Sequence, residues 1–315
     1  MEKILFLQGK FQEKIWGGKK IKEIYNFDTS LEKIGEYWAV SAMDKMESTI
    51  INGPYKGENL KEIYKNHREL FGNEKEEEFP LLVKIIDAQD DLSIQVHPDD
   101  EMAKKIENSR GKTECRYILN DQKASIIYGL KVKDKNQAEK LIDEKNWKDL
   151  LKEIPTKKGD FFSVPAGKVH AIKKGSLILE IQQASDITYR LYDYDRVDKN
   201  GKKRDLHIEK SKKAIKIDKV KENQKTENLG NLIKTELLSN NYFEVRKYQI
   251  KKEQTFKREK NYLIESVIDG KGKIIIDKKE YPIKKGDFFI LTNKIKNYTV
   301  KGNITLVETN SKTTG

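Results

Sequence analysis

His97 lies in the run DLSIQVHPDD, where strand alternation puts Ser93, Gln95 and His97 on one face, two residues apart. His170 ends GDFFSVPAGKVHA, in which Pro165 and Gly167 shape a turn that delivers a side chain from a strand's end. Glu114 opens the strand-like run ECRYIL. One Gln, one Glu and two His form a mixed nitrogen and oxygen donor set, able to hold zinc while leaving room for water or a substrate. The other two histidines offer less. His67 falls in a charged helical stretch and His207 in a basic loop, and both read as surface residues. Spacing alone does not separate a ligand set from ordinary strand residues, so the surrounding elements matter.

Those elements are mostly short strands. Trp38–Met43, Ser48–Asn52, Leu81–Ile86, Leu92–Val96, Cys115–Leu119, Ala124–Gly129, Asp160–Val164 and Ser176–Gln182 are apolar or β-branched and bounded by Gly, Asp, Asn or Pro. Apolar residues at helical spacing predict helices over Asn59–Asn66 and Asn136–Leu151, and Asp205–Ile217 reads as a third helix or a strand and turn. Many short strands with few helices predict an antiparallel barrel or sandwich. An internal echo adds detail: KKGDFF occurs at Lys157–Phe162 and again at Lys284–Phe289. Continued without a gap, the two copies set His170 against Asn297, which predicts a duplicated barrel with one degenerate copy. The charged segment Lys216–Glu227 places a boundary or exposed connection between the copies.

Composition narrows the function classes. At 315 residues the chain is long enough for two packed units. No apolar run approaches the roughly 20 residues that span a bilayer, and the opening segment is too charged for a secretory signal. Cys115 is the only cysteine, which excludes an intramolecular disulfide and fits a reducing, cytoplasmic compartment. The net charge of +12 is mostly lysine scattered among acidic residues. No arginine-rich stripe or aromatic platform accompanies it, so neither nucleic acid nor a membrane is expected as a partner. Positive potential would still help attract a small anionic ligand.

Gly159, Pro165, Gly167 and His170 match the second cupin motif, G-x5-P-x-G-x2-H, although Lys174 stands where that motif has its later Asn. In the first cupin motif Gln95 replaces the first histidine. That replacement resembles type I phosphomannose isomerase, especially its short bacterial members. The segments FPLLVKIIDAQDDLSIQVHPDDEMAK, GKTECRYIL and VHAIKKGSLILEIQQASDITYRLYDYDR resemble the family's in the same order, from Phe79 to about Arg196.

The resemblance implies a mainly β fold of two cupin-like jelly-roll barrels with a few inserted helices. It implies a catalytic metal-binding domain over 1–235 and a degenerate cupin-like domain over 236–315. Gln95, His97, Glu114 and His170 would be the ligands of one divalent metal per chain, zinc being the expected ion. The implied reaction interconverts mannose 6-phosphate and fructose 6-phosphate through a cis-enediol. Arg190 matches the family's catalytic arginine, and Glu180 and Asp186 match its acidic active-site positions. Lys112 with Ser93 would hold the phosphate, and Lys84 would serve proton transfer. Lys84 interrupts the apolar strand LLVKII, where burial would lower its pKa toward that of a useful base. Glu180, in LILEIQQ, could instead be a buried partner of Arg190. The competing functions are a cupin-type phosphoglucose isomerase, which would keep H-x-H, and a non-catalytic sugar-sensing cupin. The oligomeric state is left open.

Overall fold

The computed structural model describes residues 2–197, 200–217 and 224–312. The chain is mainly antiparallel β, and its contacts gather into two units. One unit comprises Phe11–Tyr37 and Val83–Lys221; the other comprises Met1–Lys10, Trp38–Leu82 and Glu222–Gly315. The units are therefore not successive stretches divided after residue 235. The physical reason is strand pairing: Ile4–Gln8 lies antiparallel to Phe288–Leu291, with Ile4 opposite Leu291, so the N-terminus completes the C-terminal sheet. Of the connection expected at Lys216–Glu227, residues 218–223 lie outside the described residues, and Lys225–Asn228 is a strand.

The first unit holds two sheets. One has the strand order Phe161–Val164, Glu114–Ile118, Leu177–Gln183, Leu81–Asp87, Ile34–Val40, Lys10–Gly18. The other runs Tyr189–Tyr192, Ile94–Val96, His170–Ile172, Ala124–Leu130, Leu151–Thr156. Ile118, Phe162 and Ile178 from one sheet pack on Ile126 and Ile172 from the other. This core excludes water from one end of the space between the sheets.

The second unit repeats that plan. Its strands Phe288–Leu291, Leu263–Ile276, Asn297–Ser311, Phe243–Ile250, Leu232–Ser239 and Lys225–Asn228 follow one another in the same neighbour order. The echo explains how the copies keep register. In each, a glycine of positive φ (Gly159, 91°; Gly286, 92°) makes the turn. The following aspartate then accepts a hydrogen bond from the backbone N–H of the first lysine, Lys157 or Lys284, at 2.9 and 2.7 Å. A side chain at that glycine would be strained in this backbone region. The two residues opposite each other in the echo, His170 and Asn297, each open a strand.

Helices fill the connections. Leu60–Asn66 forms as predicted, capped by Asn59, whose side chain accepts from the Glu62 N–H. The expected helix over Asn136–Leu151 is two, Lys135–Asp143 and Trp147–Leu150, because Lys145 adopts φ 54° and Asn146 caps a new start. The third expected helix is Ile208–Ala214, and an unforeseen one, Asp100–Glu107, begins at the capping Asp99. Among the described residues no helix is long and apolar enough to cross a membrane.

Candidate active site and metal centre

Strand register assembles the site. On the sheet containing Ile94–Val96, Gln95 lies opposite His170 on one side and Arg190 on the other, so all three side chains share a face. His97 follows two residues after Gln95. Glu114 comes from the facing sheet, opposite Val164 and Gln182. Ligand atoms of His97, Glu114 and His170 all lie within 4.8 Å of one another, and each residue is at most 1 % exposed.

The donors are oriented as a cation requires. His97 Nδ1 meets the Ile187 carbonyl at 2.7 Å and His170 Nδ1 meets the Lys168 carbonyl at 2.8 Å. Each Nδ1 therefore carries its proton outward, and each Nε2 lone pair faces inward. Outer partners of this kind fix metal-ligating imidazoles. The inward Nε2 atoms stand 3.4 and 3.3 Å from the two oxygens of Glu114. Burial and then the charge of Lys112 lower the pKa of His97; burial and then Arg116 hold His170 well below the usual histidine range. Although burial opposes it, Arg116, Lys112 and His97 hold Glu114 well below the usual carboxylate range. Neutral imidazoles beside an ionised carboxylate are the state a divalent ion binds. The Lys112 ammonium touches His97 Nε2 at 3.0 Å and Glu114 Oε2, supplying positive charge where a cation would ligate. Gln95 Nε2 lies 3.3 Å from His170 Nε2 while Ser93 Oγ donates to Gln95 Oε1 at 3.4 Å. A half-turn of that amide presents oxygen to the cluster instead.

A row of alternating charge runs outward from Glu114. Arg116 donates to Glu114 Oε1 at 2.5 Å and to Glu180 Oε2 at 2.9 Å. Lys84 sits 3.4 Å from Glu180 Oε1 and 3.8 Å from Glu36, which lies 3.8 Å from Lys14. Arg116, absent from the sequence-based candidates, is 2 % exposed and joins the metal cluster to Glu180. The signal for it was present, since alternation in ECRYIL puts Arg116 on the face of Glu114. Glu36 was missed in the same way, in IGEYWAV.

Three expectations need correction, those for Glu180, Lys84 and His207. Glu180 is the partner of Arg116 and Lys84, not of Arg190. Lys84 is buried, yet its pKa is raised: burial pulls it down, but Glu36 and Glu180 outweigh that, so it stays an ammonium. Asp186 is exposed in the loop between strands, and its carboxylate makes no ion pair among the described residues. Arg190 donates to the Asp205 carbonyl at 3.1 Å, and its buried Nε has no hydrogen-bond partner among the described residues. His207 is half-buried rather than a surface residue; its Nδ1 accepts from the Arg190 backbone N–H at 3.2 Å and braces that strand. Cys115 points away from this cluster's chemistry, fully buried, with its thiol pushed up by burial.

Paired antiparallel sheets enclosing a buried His–Glu–His centre define a cupin-type metal enzyme. Residues 4–153 match the type I phosphomannose isomerase catalytic domain, and residues 233–311 match the mannose-6-phosphate isomerase cupin domain. The chain is 45% identical over 313 residues to mannose-6-phosphate isomerase from Streptococcus mutans, covering 99% of each. The crystal structure of mannose 6-phosphate isomerase from Bacillus subtilis superposes with a TM-score of 0.95 at 42% identity, covering 98% of this chain and 100% of that one. A mannose 6-phosphate isomerase solved with zinc bound shares the fold, with a TM-score of 0.79 at 14% identity over 99% of this chain and 100% of that one. The chain belongs to the type I phosphomannose isomerase family.

Proposed function

We propose that the chain is a cytoplasmic, zinc-dependent isomerase interconverting mannose 6-phosphate and fructose 6-phosphate. The observation that carries this reading is one buried cluster, His97, Glu114 and His170 with Gln95 beside them, built into a chain 45% identical to a mannose-6-phosphate isomerase. The ion, when bound, supplies Lewis-acid polarisation of the sugar oxygens at C1 and C2.

The chain's own residues do the rest. Moving a proton between C1 and C2 requires a group that accepts at one carbon and returns at the other. Lys84 and Glu180, 3.4 Å apart and buried, form such a couple. Glu180 is steadied by Arg116, and Lys84 holds the proton as an ammonium. Arg190 is the fixed cation for the enediolate, because its face-sharing position beside Gln95 leaves Nε free for a ligand. Lys112 and Ser93 hold the phosphate once the ion takes over the charge that Lys112 supplies to His97 and Glu114.

The deciding experiment is a coupled assay with mannose 6-phosphate and glucose 6-phosphate, before and after chelation. Purified protein is expected to contain about one divalent ion per chain, zinc foremost. Turnover of mannose 6-phosphate should vanish on chelation and return with zinc. Full activity in metal-free protein, or preference for glucose 6-phosphate, would overturn the reading.

A further inference from the structure

The second unit repeats the catalytic one residue by residue, and the register identifies each equivalent. Phe162, Arg116 and Glu180 stand opposite one another on three strands; so do Phe289, Glu265 and Glu308. The ladder continues outward from Glu308 to Arg246, where the catalytic row has Lys84. It then reaches Glu236, where that row has Glu36. The ligand positions map as well. His170 lies opposite Gln95, and Asn297 lies opposite Lys257. Counting two residues along each strand gives Glu259 for His97 and Leu263 for Glu114. The donor set is gone: among the described residues no group of metal-ligating side chains forms in this unit.

A space nevertheless persists there. A cavity of about 380 Å³ is lined by Lys257, Glu259 and Leu263, three of the four replacements, together with Arg246 and Glu308. That volume is within the range of about 300–1,000 Å³ typical of small-molecule sites. Its wall carries aromatic rings: Phe256 stacks on Tyr298 at 5.2 Å and packs on Tyr248 at 5.0 Å. Its floor is polar and ordered. Glu308 accepts from Arg246 at 3.2 Å, from Tyr248 at 3.3 Å and from Tyr298 at 3.4 Å. Next along the row, behind this lining, Glu265 is fully buried beside Tyr298 and Glu308, and its carboxyl group makes no ion pair among the described residues.

We propose that this cavity is a second, metal-free binding site for a neutral polyol of monosaccharide size. Flat rings take the C–H face of such a ligand, while carboxyl, guanidinium and phenol groups take its hydroxyls. The charges argue against a phosphate. Arg246 is paired with Glu244 and Glu308, Lys260 with Glu244, and Lys234 with Glu236. Only Lys257 of the lining cations makes no ion pair among the described residues, and the Glu259 carboxylate lines the same space, so little net positive charge is left to hold a dianion.

The test is a titration of the metal-loaded full chain, labelled at leucine methyls, with D-mannitol and separately with inorganic phosphate. Saturable shifts of the Leu232 and Leu263 methyls are expected across a millimolar range of mannitol. They should persist after chelation and be absent with phosphate. Leu263→Phe, which fills the cavity, should abolish them while leaving kcat/KM for mannose 6-phosphate unchanged. Glu308→Gln provides a second loss-of-binding variant should the phenylalanine fail to fold. Absence of shifts at these methyls, their loss on chelation, their retention in a folded Leu263→Phe protein, or a response to phosphate instead would overturn the proposal.

Discussion

Glu114 carries two demands at once, since it faces the metal position while Arg116 pins one of its oxygens. Arg116 is also the only described bridge from that carboxylate to Glu180. Removing one partner of a buried ion pair leaves an uncompensated charge and costs about 3–5 kcal/mol. Arg116→Met is therefore expected to lower the unfolding free energy read from a denaturant titration by that amount, and near-wild-type stability would show that the row is not structural. Arg190 differs, being half-buried with a donor in reserve. Arg190→Ala should lower kcat by at least about a hundredfold with metal content and folding intact. A rise in KM alone would assign it to ground-state binding, and Arg190→Lys separates charge from the planar fork. The two candidate histidine ligands were legible because the chain has only four histidines, and Gln95 and Glu114 because the family wording surrounds them. Arg116 and Glu36 were hidden in a composition where charged residues are everywhere, and only their burial distinguishes them.

The strand positions set by the KKGD turn were also legible, because the same glycine and aspartate do the same work twice. The break within Asn136–Leu151 was not, since its apolar spacing continues across Lys145 and only the backbone there departs from the helix. In the second unit, Glu265 faces Glu308 across the ladder where the catalytic unit sets Arg116 against Glu180. Burial first, and then the neighbouring Glu308, push the Glu265 carboxyl well above the usual range. A raised carboxyl pKa contributes stability that is complete below the unfolded value and is lost as pH rises toward the folded one. Glu265→Gln, neutral at any pH, should thus become more stable than the parent chain as pH rises above the ordinary carboxylate range. The gap should widen by at most about 1.4 kcal/mol per pH unit. Parallel stability curves for the two proteins would show that Glu265 is ionised in the fold.

Over the whole molecule, duplication was readable but its wiring was not. A hexapeptide echo announces two copies, whereas nothing in ILFLQ says that it belongs with Phe288–Leu291 rather than with the strands that follow it. A fragment spanning 236–315 lacks that strand, as well as Leu232, Ile233, Lys234 and Thr235, the half of Leu232–Ser239 that pairs with Lys247 to Ile250. It should give a collapsed amide spectrum and no cooperative thermal transition; a dispersed, cooperative fragment would show that these residues are self-sufficient. The same pairing has a consequence in time. A ribosome delivers Ile4–Gln8 about 280 residues before Phe288–Leu291, at about 5–20 residues per second. The apolar N-terminal strand therefore waits on the order of tens of seconds for its neighbour. Thr49–Ile50 meets its other side early, but the edge toward Phe288–Leu291 stays open during synthesis, the kind of edge that pairs with another chain.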